Sequence, residues 1–139
     1  MEHEEWRPVA RDPRYEVSNL GRVRSWVRLG PSGHGLRDVP LVLAASGRSD
    51  YRYPTVWGPP RNPVKVHELV AEAFLGPRPE GMLIRHLDDN PLNNRASNLA
   101  WGTQADNIAD AERLNPGRTA RHMARMRMAK VARRANAAA

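Results

Sequence analysis

The chain has 139 residues, with 22 Lys and Arg against 15 Asp and Glu, five His and no Cys, and a formal net charge of +7. That length fits one small domain with appendages, and the missing cysteine excludes a disulfide framework and cysteine-ligated zinc. No apolar run approaches a membrane span and the acidic opening MEHEEW is unlike a signal peptide, so an intracellular setting is expected.

The first segment, EEWRPVARDPRYEVSNLGRVRSWV, alternates enough for two or three short strands, with Trp6, Val9, Tyr15, Val17, Val23 and Trp26 as apolar pins. Ser18 to Gly21 supplies a turn. Arg22, Arg24 and Arg28 then fall on one strand face with Val23 on the other, which by spacing alone is most simply a solvated face. Residues 29–39, beginning LGPSGHGL, read as a flexible linker with His34 exposed in it.

From Pro40 to Val66, three strand-like pieces (Leu41 to Ala44, Tyr51 to Trp57, Val64 to Val66) predict an antiparallel meander, with turns at Gly47 to Asp50 and Gly58 to Pro63. Tyr51, Tyr53 and Trp57 alternate as sheet-packing residues do, although aromatic rings can also stack on bases. His67 to Leu75 carries Leu69, Val70, Ala73 and Phe74 at helical spacing, and Gly76-Pro77 ends that helix. His67 opens it. A metal ligand, a DNA contact and a structural histidine are all open, the last being the commonest role beside an apolar stripe.

The stretch from Ile84 to Ile108, IRHLDDNPLNNRASNLAWGTQADNI, organises the chain. Met82 to Leu87 predicts a strand, Asp88 to Ala96 a wide loop, and Ser97 to Trp101 a returning strand. Thr103, with Asp106 three residues on, predicts a helix from Gln104 to Leu114. His86, Asn98 and Asn107 would thereby come from the two strands and the helix. A neutral imidazole suits a general base. A carboxamide such as Asn98 can hold the imidazole, or the loop around it, by hydrogen bonds, and Asn107 offers a neutral oxygen to a hard cation. Water activation beside a cation that stabilises charge on phosphate is phosphodiester hydrolysis.

Asn115-Pro116-Gly117 breaks that helix, and Arg118 to Ala135 predicts another. From Ala111 to Ala139 there are eight basic residues against one acid, Glu112, so this segment carries the whole net charge. Arg118, Arg121 and Arg125 form one basic row; Arg127, Lys130 and Arg134 form another. A polyanion is the simplest partner, and binding would order a tail that is largely disordered when alone.

The segment from Val66 to Asn107, through VHELVAEAFL, HLDDNPLNN and SNLAWGTQADN, resembles the HNH endonuclease domain of the phage and intron-homing type, a ββα-metal nuclease. EEWRPV and YEVSNLGRVRS resemble the small modular domain that precedes many such nucleases. The resemblance implies an α+β chain: a β-rich N-terminal module over residues 1–28, a nuclease domain over 40–114 with its ββα core from about 82, and a basic helical tail over 115–139. His86 would be the general base, Asn98 the positioning residue and Asn107 a ligand to one divalent cation, Mg2+ or Mn2+, with His67 kept as a further site residue. The position before the base is often acidic or metal-coordinating in such nucleases and is Arg85 here. A guanidinium has no lone pair for a cation, so Arg85 is expected on a DNA phosphate and Asp88 or Asp89 as the carboxylate. Arg22, Arg24 and the tail arginines would contact double-stranded DNA. The expected protein is a monomer or weak dimer that nicks DNA, encoded by a phage or mobile element in the bacterial cytoplasm. A catalytically weak HNH scaffold that only binds DNA is the alternative.

Overall fold

The computed structural model describes residues 2–30, 33–45, 55–58 and 62–138. Strands β1 (Trp6–Val9), β2 (Asp12–Ser18), β3 (Val23–Gly30) and β4 (Gly33–Val42) form an antiparallel sheet in that order. Alternation sends Val9, Val17 and Val23 to the buried face. Of residues 29–39, expected as a linker, those described (29–30 and 33–39) instead belong to the paired strands β3 and β4: Val27 pairs with Leu36, Arg28 with Gly35, Leu29 with His34 and Gly30 with Gly33. Glycine suits a tight turn as readily as a linker, and here Gly30 and Gly33 pair at the far end of the hairpin.

The meander expected over 40–66 is also redrawn. Leu41 and Val42 complete β4 beside Ser25 and Arg24, and β5 (Thr55–Gly58) pairs separately with β6 (Asn62–Lys65). The expected turn at 47–50, Tyr51, Tyr53 and residues 59–61 lie outside the described residues. Helix α1 (Val66–Phe74) follows, then β7 (Leu83–His86), a 3-10 turn (Ala96–Asn98), β8 (Leu99–Gly102), α2 (Gln104–Leu114) and α3 (Arg118–Ala138). Thr103 caps α2 as expected: its hydroxyl accepts from Asp106 N, and the Asp106 carboxylate accepts from Thr103 N.

One hydrophobic core joins the N-terminal sheet to the rest. Val9, Val17 and Val23 pack in the same cluster as Val56 and Val64 of the hairpin, Val66, Leu69 and Val70 of α1, and Leu99 of β8. Each such side chain gains about 1.5–3 kcal/mol on leaving water. Polar contacts fix the orientation. Arg11 reaches Glu68 and Glu72 of α1 at 3.1 and 2.6 Å, and Arg7 donates to Ala73 O at 3.1 Å while lying over the Phe74 ring. Ala96 N, just past the β7–β8 loop, donates to Asn19 O at 2.8 Å.

No described residue of helix α3 is buried, and from Ala120 onward all its described residues are exposed. Its first turn is held by Glu112 of α2, whose carboxylate accepts from the N–H groups of Gly117 and Thr119. These bonds hold the Glu112 carboxyl below its ordinary value, and they satisfy donors that a helix start otherwise leaves unpaired.

Candidate active site

The β7–β8 hairpin sets the site. Its register places Leu83 opposite Gly102, Ile84 opposite Trp101, Arg85 opposite Ala100 and His86 opposite Leu99. Asn98 ties the loop between these strands across its neck. Its side-chain N–H2 donates to Asp88 Oδ1 and Asn93 O, both at 2.9 Å, and its Oδ1 accepts from Asp88 N at 3.2 Å. Asp88 is engaged on both oxygens, accepting also from Asn90 N at 2.9 Å and Asn93 Nδ2 at 2.8 Å. Burial alone would raise the Asp88 carboxyl, but these hydrogen bonds, led by Asn93, hold it below its ordinary value. Asn98 and Asp88 therefore shape the loop.

The imidazole of His86 is held by a different carboxamide. Asn94, only 5% exposed, places Oδ1 2.8 Å from His86 Nε2. Sequence reasoning missed this residue, because in a loop with four Asn nothing in spacing separates Asn94 from its neighbours. His67 of α1 meets the His86 ring edge to face, centroids 5.3 Å apart. Burial, followed by the nearby charges of His86 and Lys65, lowers His67 to about 4, so it is neutral near neutral pH.

His86, His67, Asp89, Asn107, Trp101 and Arg118 line one open cleft of about 770 Å³. Asp89 adopts φ 57°, a left-handed conformation that Asp tolerates better than most residues. Its carboxylate pairs with Arg118 from the start of α3. His122, one turn further along α3, lines the same cleft; its place in the tail gave the sequence no reason to single it out.

Other expected contacts have partners of their own. Arg85 forms a two-pronged ion pair with Asp110 of α2, at 2.8 and 2.9 Å, and so fastens α2 to the hairpin. Arg24 is 2.6 Å from Glu16, which also accepts from Trp26 Nε1 at 2.7 Å, and it lies over the Trp6 ring. Arg22 pairs with Glu4. Arg125, Arg127, Lys130 and Arg134 are exposed on α3, as is Arg121, which donates to Asn115 Oδ1 at 2.7 Å.

The model of an HNH endonuclease family matches residues 64–109, and that of the NUMOD4 motif matches residues 4–55. The chain carries an HNH endonuclease domain and a NUMOD4 motif. The NUMOD4 match takes in the whole N-terminal sheet, and the HNH match runs from β6 into α2. The chain is 33% identical to DNA endonuclease I-HmuI of Bacillus phage SP01 over 111 residues, covering 75% of this chain and 55% of that protein. It is 29% identical to an uncharacterized HNH endonuclease of Acanthamoeba polyphaga mimivirus over 106 residues, 76% of this chain and 29% of that one. It thus spans about half, or less, of these relatives. A solved structure described as DNA binding and cleavage by the HNH homing endonuclease I-HmuI matches with a TM-score of 0.61 at 27% identity, covering 88% of this chain and 67% of that one. No helix among the described residues is long and apolar enough to cross a membrane.

The oxygen donors of the HNH cleft suit a hard cation. Asn107 and Asp89 line it together, and carboxylate and carboxamide oxygens are the groups such cations take. Among the described residues no three His, Cys, Asp or Glu side chains cluster as a ligand set. A cation here would draw most of its shell from water and phosphate, as Mg2+ does in phosphate-handling sites. Asp88 is spent within the loop, whereas Asp89 lines the cleft; Glu68, Glu72 and Asp110 line it as well, paired with Arg11 and Arg85.

Proposed function

We propose that this chain is a metal-dependent endonuclease that hydrolyses phosphodiester bonds in double-stranded DNA, with His86 as general base. The observation that carries the reading is the side-chain bond to His86. A carboxamide oxygen only accepts, so Asn94 Oδ1 selects the ring tautomer with the proton on Nε2. The lone pair then lies on Nδ1, where it can take a proton from an attacking water.

Asn107 and Asp89 would hold one divalent cation, Mg2+ or Mn2+. Such a cation supplies stabilisation of charge on the phosphate and the departing 3′ oxygen. His67, kept neutral beside the base, places no additional positive charge against it. The exposed cations of α3 would draw the DNA backbone toward the cleft without reading sequence. One base in one cleft per chain fits single-strand nicking.

A second reading rests on Arg85. Strand β7 presents no carboxylate next to His86, and Arg85 is committed to Asp110. A scaffold with poor cation affinity would bind DNA without cutting it.

Supercoiled plasmid incubated with the full chain in Mg2+, Mn2+ or EDTA separates the two. The expected result is relaxed circles that require metal, with His86→Ala lowering the rate at least about 100-fold while DNA affinity stays within about twofold. Equal loss of binding and cleavage in His86→Ala would overturn the base assignment. A salt-sensitive gel shift with no cleavage in any metal would establish the second reading.

A further inference from the structure

We propose that Asn94, clamped from behind by the Ser18–Gly21 turn of the N-terminal sheet, is the positioning residue that fixes the ring of His86. The NUMOD4 segment would then be part of the catalytic support as well as a DNA-contacting module. The effect on cleavage rests on His86 being the base; the clamp itself does not.

Three observations carry it. Asn94 is 5% exposed and its carboxamide oxygen sits 2.8 Å from His86 Nε2, so the bond is shielded from water. Gly21 abuts the Asn94 backbone: a Cβ at Gly21 would fall 3.0 Å from Asn94 O and 3.1 Å from Asn94 Cβ, and its φ of +87° suits glycine. The turn that holds Gly21 is itself braced. Gly21 N donates to Ser18 O at 3.0 Å, and Arg22 N donates to the fully buried Ser18 Oγ at 3.1 Å. Two residues past Asn94, Ala96 N donates to Asn19 O at 2.8 Å. The loop is thus gripped by the sheet at residues 94 and 96. Both of these contacts come from the Ser18–Gly21 turn.

The test is the side-chain 15N–1H spectrum of His86 in the labelled full chain, assigned by its absence in His86→Gln, alongside nicking of supercoiled plasmid in Mg2+. Wild type should show an Nε2–H signal that exchanges slowly with water. Asn94→Asp keeps an acceptor and should keep that signal. Asn94→Leu removes the acceptor, so the signal should broaden away while kcat falls at least about tenfold and KM for plasmid stays constant. Gly21→Ala, folded by circular dichroism, should shift or broaden the same signal. A protected Nε2–H retained in Asn94→Leu overturns the proposal, and an unchanged His86 signal in folded Gly21→Ala overturns the clamp. If no protein nicks plasmid but the spectra change as described, the general-base reading fails and the positioning role stands.

Discussion

His67 and His86 come from α1 and β7 and meet edge to face, with ring centroids 5.3 Å apart and an interplanar angle of 73°. Burial is the larger reason that His67 resists protonation, and the neighbouring His86 adds to it. The β7–β8 hairpin is therefore packed against a histidine that resists charging.

Stability should consequently fall with mild acid. The unfolded chain takes up a proton at His67 near pH 6.5, whereas the folded chain resists it until about 4. The unfolded state binds more protons across that window, so the folded state loses about 3 kcal/mol as pH falls through it. Urea unfolding at pH 7 and pH 4.5 should show most of this loss in wild type, and His67→Gln should lack His67's share. The carboxyls of Asp12 and Asp110, held low chiefly by the Arg14 and Arg85 hydrogen bonds respectively, lose their contributions only in stronger acid. An identical acid loss in His67→Gln would refute the assignment.

The Arg85–Asp110 pair should behave as a fastener. The side chains are 23% and 13% exposed, so removing one partner strands a partly desolvated charge. Asp110→Leu or Arg85→Met alone should cost about 2 kcal/mol and several degrees of Tm. The double variant should recover much of that loss, read as a coupling energy in a double-mutant cycle. Gly102→Ala should act through the same contact, since its Cβ would fall 2.0 Å from Arg85 Cδ. Additive single-variant losses would show that the pair does not couple α2 to the hairpin.

Much of this was legible in the sequence where local chemistry is decisive. The Thr103–Asp106 cap, the break at Asn115 to Gly117 and the apolar stripe of α1 are all written within a few residues, and the helices begin within one residue of where those signals put them. The hairpin also follows from its flanking strands. What failed was long-range pairing. LGPSGHGL carries linker composition, and only the pairing of Leu29 with His34 and Gly30 with Gly33 makes a hairpin of the strands on either side. Arg22, Arg24 and Arg85 read as spare cations because Glu4, Glu16 and Asp110 lie 18, 8 and 25 residues away. Asn94 lay hidden among Asn90, Asn93 and Asn98 for the same reason: its partner is set by three-dimensional placement.

Asn98→Ala should separate loop from ring. It removes the three side-chain bonds that tie residues 88, 93 and 98 together, at a cost of about 1–3 kcal/mol. Hydrogen exchange should quicken across residues 87–95, and Asp88→Ala should reproduce the pattern because it breaks the same knot. Exchange unchanged in both variants would show that the loop is held by Asn94 and the N-terminal turn alone.

The salt dependence of DNA binding should locate the electrostatic term in α3. Arg121, Arg125, Arg127, Lys130, Arg133 and Arg134 are exposed along it. If all six meet phosphates, ending the chain after Asn115 should flatten the log–log salt slope by roughly 5, at about 0.9 per phosphate released. Plasmid binding titrated between about 50 and 200 mM salt, a range over which such contacts change affinity by orders of magnitude, measures this directly. Arg118 is removed in the same truncation, so Arg118→Ala in the full chain is the necessary control: its guanidinium is paired with Asp89 in the cleft. That variant should leave the slope within about one phosphate of wild type. A truncated chain with the wild-type slope would move the phosphate contacts from α3 to the N-terminal sheet and the cleft rim.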